Sequence, residues 1–204
     1  MKEIFFVPKN NKTDQWYYSD KEFDSLYPSA IQALSKKHWT PLSVARQAAK
    51  FLSVKRGARI LDIGSGAGKF CLAASYYYPD SFFTGIEQRR SLIEHAQRAA
   101  EILEADNVSF IHGNFTQLDF RNYDHFYFYN SFYENLVNVD RIDENLDYSA
   151  ELYNYYSRYL FHLLAKKPAG TRIVTYHSLE EEIPPGYQLL YSDYDSILKF
   201  WVMV

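Results

Sequence analysis

Residues Arg59–Phe70 read RILDIGSGAGKF, an apolar run that ends in Gly64, Gly66 and Gly68. Glycine weakens a strand or a helix, so three of them in five positions mean that the backbone must turn sharply or be approached closely. A phosphate, a dinucleotide, another stretch of backbone or a small molecule carrying a ribose would each need that space. A phosphate-binding loop requires G-x-x-x-x-G-K followed by Ser or Thr. Here Lys69 is followed by Phe70 and the glycine spacing is wrong. Lys69 is therefore expected as a solvated residue in the first turn of the next helix. A dinucleotide loop requires G-x-G-x-x-G. The third glycine, Gly68, comes one residue early, and Lys69 stands in its place.

Outward from the turn, strands and helices alternate. Val44, Ala45, Ala48, Ala49 and Leu52 recur at helical spacing and predict a helix over 42–52, stopped by Gly57. A strand over 59–63 and a helix from Lys69 to Tyr78 flank the glycines. SFFTGIE reads as a second strand ending at Glu87, and RRSLIEHAQRAAEILEA as an amphipathic helix. NVSFIHGNF and YDHFYFYN give two more strands. Leu152, Tyr155, Tyr156, Tyr159, Leu160, Leu163 and Leu164 mark one face of a helix over 148–166. TRIVTYH is a fifth strand, and YQLLYSDYDSILKFWVMV a final pair broken near Ser192–Asp195. This pattern predicts an α/β, Rossmann-like seven-stranded sheet, mostly parallel, with helices on both faces and one antiparallel strand near the C-terminus. Residues 1–41, polar and aromatic with one short helix expected over 30–36, read as a flank or lid on a single domain spanning 42–204.

Composition narrows the class. The 204 residues carry a net charge of −3, nineteen Tyr and fifteen Phe. The charge balance offers no global case for nucleic acid. One cysteine, Cys71, excludes a disulfide framework and a zinc cluster. The apolar run in MKEIFFVPKNNKTDQ is too short for a signal peptide, and no run is long enough to span a bilayer. A soluble, cytoplasmic protein is expected.

Glu87, at the end of the second strand, suits a carboxylate accepting both hydroxyls of an adenosine ribose. Asp62, beside the glycines, favours a cationic ligand over a pyrophosphate. In order and spacing, ILDIGSGAGKF, FFTGIE, HGNF and FYFYNSFYEN resemble the class I S-adenosylmethionine-dependent methyltransferases. The resemblance runs from Leu42 to the C-terminus and implies S-adenosylmethionine as cofactor. It implies that Asp62, Gly64, Ser65, Gly66 and Gly68 approach the cofactor, with Glu87 and Gln88 at the ribose. Asn114 would meet the adenine amino group, Phe115 would pack on the ring, and Thr40 or Pro41 would cross the cofactor. Asn130 would border the cofactor and orient an acceptor nitrogen beside Tyr133, with Phe132 walling the channel. GNF and NSF resemble the GDF and NNF pair of the lysine methyltransferases of the disruptor-of-telomeric-silencing family. Acidic residues Asp140, Asp143, Glu144, Asp147 and Glu180–Glu182 suggest a rim that attracts a basic acceptor. Lys36, Lys37, Arg89 and Arg90 form a smaller basic counterweight, and His38 and His177 read as rim residues. The expected reaction is methyl transfer to a nitrogen, such as a protein lysine, with a basic protein or amine as partner. The alternatives are an RNA or small-molecule methyltransferase, a non-catalytic S-adenosylmethionine-binding module, and a Rossmann oxidoreductase.

Overall fold

The computed structural model describes residues 12–136, 142–143 and 146–204. After a 3₁₀ turn at Asp14–Tyr17 come the short helices α1 (Asp20–Asp24), α2 (Ser29–Gln32) and α3 (Ser35–His38). Then follow α4 (Leu42–Leu52), β1 (Arg59–Ile63), α5 (Lys69–Tyr77), β2 (Phe82–Glu87), α6 (Arg90–Ile102) and β3 (Val108–His112). The chain continues through β4 (His125–Tyr129), α7 (Ala150–Leu164), β5 (Arg172–Tyr176), β6 (Tyr187–Asp193) and β7 (Leu198–Met203). One seven-stranded sheet results, in the order β3-β2-β1-β4-β5-β7-β6. β1 to β5 run parallel, and β7 pairs antiparallel with both β5 and β6. This is the Rossmann-like, mostly parallel sheet expected, with one strand reversed.

Two apolar cores lie on opposite faces of the sheet. Successive strand residues alternate between them, as a period of two dictates. Phe126 and Phe128 face the core under α7, while Tyr127 between them faces α4 and α5. The ring of Tyr127 stacks on Phe70 at 3.8 Å, and its hydroxyl is 2.7 Å from Thr40 Oγ1. α7 starts where Ser149 Oγ accepts from the Leu152 amide, which satisfies a free donor of the first turn. Among the described residues, no helix is long and apolar enough to cross a membrane.

Three expectations change. The single helix over 30–36 is two one-turn helices, broken at Ala33–Leu34. The break lets Ile31 and Leu34 pack on the core while Trp39 turns inward and is buried. The face of α7 is also rotated. Leu160 and Leu164 are buried, with Tyr153, Tyr156, Tyr159 and Leu163 packed beside them, but Tyr155 is 53% exposed. So aromatic a helix offers two overlapping stripes, and the one that meets Phe115 and Phe132 is chosen. Lys69, finally, is not solvated. It is 4% exposed, and its Nζ lies 2.7 Å from Asp20 Oδ1 and 2.6 Å from Asp24 Oδ1. Helix α1 covers it, which sequence spacing alone does not reveal.

Candidate active site

The parallel strands end on one edge of the sheet, where the connecting loops leave a crevice. β1 ends at Ile63, and the glycine turn begins by donating the Gly64 and Ser65 amides to Ile86 O, at 2.9 and 3.0 Å. Gly64, Gly66 and Gly68 have φ of +76°, +55° and +85°, the left-handed region that favours glycine. Gly64 and Gly66 line a cavity of about 310 Å³ together with Glu87, Arg89, Asn130 and Tyr133. A Cβ on Gly66 would meet nothing within 4 Å, so bare backbone faces open space there. Packing also bars a side chain at the other two glycines. A Cβ on Gly64 would lie 3.0 Å from Ser131 Cβ, and one on Gly68 would lie 2.5 Å from Phe110 Cζ.

Glu87 is buried at the end of β2. Its Oε2 accepts from the Gly66 amide at 3.2 Å, and its Oε1 from the Arg89 amide at 2.9 Å. It borders both the main cavity and a narrow slot of about 50 Å³ lined by Ile86, Gly113, Phe115 and Phe132. The slot is mixed in character: Ile86, Phe115 and Phe132 give it apolar walls, and Glu87, Gln88, Arg89 and Ser131 give it polar ones. That pairing suits a planar heterocycle joined to a diol. The left-handed, side-chain-free backbone at Gly66 suits a ligand that approaches the main chain closely.

Other residues named from the sequence fall elsewhere. Asp62 lies inside β1, outside the cavity lining, and accepts from Cys71 Sγ at 3.6 Å. Burial drives its pKa up to about 8, so near neutrality the carboxyl is largely protonated and presents little charge to a cation. Ser65 tucks its Oγ against Gly85, 2.6 Å from where a Cβ would sit. Asn114 caps the 3₁₀ turn Phe115–Gln117 by accepting from the Thr116 amide at 3.0 Å. Its Nδ2 donates to Gln88 Oε1 at 3.1 Å and to the Tyr156 hydroxyl at 2.9 Å. Gln88 reaches the slot, and Phe115 forms its wall. Phe132 also lines the slot, stacked on Phe115 at 5.3 Å, instead of walling an acceptor channel with Tyr133. Thr40 is occupied by Tyr127, while Leu34, Lys37, His38 and Trp39 form the cavity wall.

Arg89 is the site residue that local sequence does not reveal. It is 8% exposed, with Nη2 2.6 Å from Glu134 Oε2 and 2.7 Å from the Tyr148 hydroxyl. Its Nη1 is 3.4 Å from Glu87 Oε1 and its Nε 3.3 Å from Asp143 Oδ2. Burial works against the guanidinium charge, but Glu134 and Glu87 outweigh it and raise the pKa above its ordinary value. The one sequence clue was its place two residues after Glu87. Part of the expected acidic rim is paired, while Asp147 and Glu181 are exposed. Glu134 and Asp143 hold Arg89, Glu180 lies 3.3 Å from Lys199, and Glu182 accepts from Tyr153 at 3.0 Å. Asp140 and Glu144 lie outside the described residues.

β4 and β5 are neighbours, and the residue after each has a positive φ: Asn130 at +44° and His177 at +56°. Both line the cavity. Strained backbone of this kind collects at ligand sites, where the surrounding fold enforces it.

A glycine turn after the first strand, a carboxylate ending the second and a seven-stranded sheet with one reversed strand define a class I S-adenosylmethionine-dependent methyltransferase. The chain belongs to the family described as the methyltransferase domain, whose model matches residues 54–197. The cofactor of that family is S-adenosylmethionine. A tRNA (guanine-N(7)-)-methyltransferase of Synechococcus sp. (strain JA-3-3Ab) is 44% identical over 54 residues, 26% of this chain and 23% of that protein. The match thus spans about a quarter of the relative's length. The RNA methyltransferase of Salinibacter ruber, solved with S-adenosyl-L-homocysteine, shares the fold with a TM-score of 0.56 at 19% identity, over 81% of this chain and 93% of that one. TrmN of Thermus thermophilus does so with a TM-score of 0.58 at 16% identity, over 84% of this chain and 51% of that one. The narrower resemblance to the disruptor-of-telomeric-silencing lysine methyltransferases finds no support in these matches. The structure explains why GNF and NSF mislead: their phenylalanines, Phe115 and Phe132, stack on each other inside the slot.

Proposed function

We propose that this protein methylates a nitrogen of an RNA base, with tRNA the substrate class its relatives suggest. The observation that carries the cofactor half is Glu87, a buried carboxylate that holds the bare Gly66 backbone and borders the slot walled by Ile86 and Phe115. The RNA half rests on the tRNA methyltransferases matched at 44% and 43% identity over 54 residues. This replaces the protein-lysine acceptor and reverses the expectation that net charge disfavours nucleic acid. Net charge is a whole-chain sum, and the two carboxylates that line the cavity, Glu87 and Glu134, are both paired with Arg89.

When bound, S-adenosylmethionine supplies a methyl carbon made electrophilic by its sulfonium. Glu87 accepts the ribose hydroxyls, and Gly64 and Gly66 admit the ligand to the backbone. Ile86 and Phe115 hold the adenine ring, with Gln88 at its edge and Asn114 fixing Gln88. Asp62 and Ser65 act from beneath, by shaping the turn. Asn130 and Tyr133, which line the cavity, would hold the acceptor. A ring nitrogen with a free lone pair needs no general base, so positioning and exclusion of water are the protein's main contributions. These roles fit a cytoplasmic enzyme.

Incubation of the purified protein with methyl-tritiated S-adenosylmethionine and separate pools of tRNA, total protein and small amines tests the reading. Label is expected in tRNA. Label in protein or amines but not in tRNA would overturn the RNA half, and no affinity for S-adenosyl-L-homocysteine would overturn the cofactor half.

A further inference from the structure

Beyond the main cavity lies a second, larger one of about 610 Å³. The two share Trp39, Tyr129 and His177, which form a partition between them. Lys21 and Lys36 line the outer cavity and are exposed, while its two carboxylates, Asp20 and Asp24, are both held by buried Lys69. The outer chamber is therefore rimmed by cations and walled by rings. His177 lies across Tyr129 with centroids 5.4 Å apart and planes 26° apart, and against Tyr176 at 4.4 Å edge-on. Tyr129 is fixed in turn by donating to Lys37 O at 2.9 Å. Burial lowers the pKa of His177, which favours a neutral imidazole.

We infer that the outer chamber is the entrance for the acceptor nucleotide, and that His177, backed by Tyr129, is the positioning residue on which the RNA base stacks. This rests on the RNA reading above. Flat rings stack on bases of any sequence, and exposed lysines hold the phosphates beside them. The left-handed backbone at His177 turns its ring onto Tyr129 and into the partition instead of along β5. Lys21 and Lys36 are the phosphate contacts.

Two substitutions at one position separate stacking from backbone strain. His177→Asn keeps a residue tolerant of positive φ but removes the ring. His177→Phe keeps a ring but strains the turn. His177→Asn should raise the KM for tRNA roughly 5-fold, the low end of what one base–ring stack contributes. His177→Phe is expected to stay near wild type. Lys36→Glu should raise the same KM and flatten its dependence on salt. The reverse order, Asn near wild type and Phe impaired, would show that His177 serves only the turn and would overturn the inference while leaving RNA methylation standing. An unchanged KM in all three variants would do the same. If wild-type protein labels no RNA, the functional reading falls and this inference falls with it.

Discussion

Lys69 Nζ lies 2.6 Å from Asp24 Oδ1, so the first residue of α5 is tied to helix α1, 45 residues earlier in the chain. Asp20 adds a second ion pair at 2.7 Å, and the rings of Phe23 and Trp39 lie 5.5 and 5.6 Å from the ammonium. The Tyr27 hydroxyl donates to Ala67 O at 2.9 Å in the same region. The N-terminal segment is thus fastened to the glycine turn at two points. Removing one partner of a buried ion pair is costly because the other charge remains, so Lys69→Met should destabilise the protein by about 3 kcal/mol. Asp20 and Asp24 are partly exposed and can rehydrate, which keeps the loss from being larger. The triple variant Asp20→Asn, Asp24→Asn, Lys69→Met should recover most of the melting temperature. Failure of the triple variant to recover would show that the cation acts through packing and not through charge.

Asp62 makes stability depend on pH in an unusual direction. Its folded pKa is about 8, against an ordinary 3.8, because burial disfavours the carboxylate; the Cys71 hydrogen bond opposes this and Glu87 adds to it. Between these values the folded state keeps a proton that the unfolded state has lost. Its contribution is therefore whole below pH 3.8 and declines as pH rises toward 8, by at most about 1.4 kcal/mol per pH unit. Asp62→Asn removes the titration. Urea midpoints at pH 5, 6.5 and 8 should show the variant gaining on the wild type as pH rises. A constant gap would mean that Asp62 is ionised in the folded protein.

Glu87 and Arg89 set up a competition at the cofactor site. The carboxylate holds the Gly66 amide, the Arg89 amide and the Arg89 guanidinium, and its remaining acceptor capacity faces the cavity. Glu87→Gln preserves size but leaves one acceptor oxygen, so the side chain can hold the Gly66 amide or the Arg89 amide and not both, while Arg89 keeps Glu134 and Asp143. Loss of a charge-assisted hydrogen bond should weaken S-adenosyl-L-homocysteine binding about 10-fold or more by titration calorimetry. Unchanged affinity would remove Glu87 from the ribose.

The fold was legible because its strands and helices declare themselves locally. The helix over 42–52 and the strand over 59–63 follow from apolar period and a glycine stop, and these agree with the structure. What stayed hidden depends on residues far apart in the chain. Nothing near Lys69 indicates that α1 will cover it, and nothing near Arg89 indicates that Glu134 and Tyr148 will surround it. Trp39 and His38 reach the cavity only because two one-turn helices fold back over the strand ends, and such short helices leave no periodic signal. Asp62 stands beside the turn and Asn114 follows β3 in sequence, yet one is buried in the core and the other caps a turn. Sequence position gave the neighbourhood and not the direction of the side chain.

The three glycines of the turn should separate experimentally into fold and ligand roles. At Gly68 a methyl group would sit 2.5 Å from Phe110 Cζ and 2.9 Å from Ala96 Cβ, on backbone at φ +85°. Gly68→Ala combines overpacking with left-handed strain and should cost about 3 kcal/mol or more. At Gly66 the space is open, so Gly66→Ala should cost only the strain, about 1 kcal/mol. Its methyl group enters the cavity, however, where Gly66 faces the ligand. Thermal melts should therefore rank Gly68→Ala well below Gly66→Ala, while calorimetry with S-adenosyl-L-homocysteine should rank Gly66→Ala the weaker binder. A Gly66→Ala protein that binds as tightly as wild type would show that the bare backbone serves the turn alone, and the cofactor would have to lie elsewhere along the crevice.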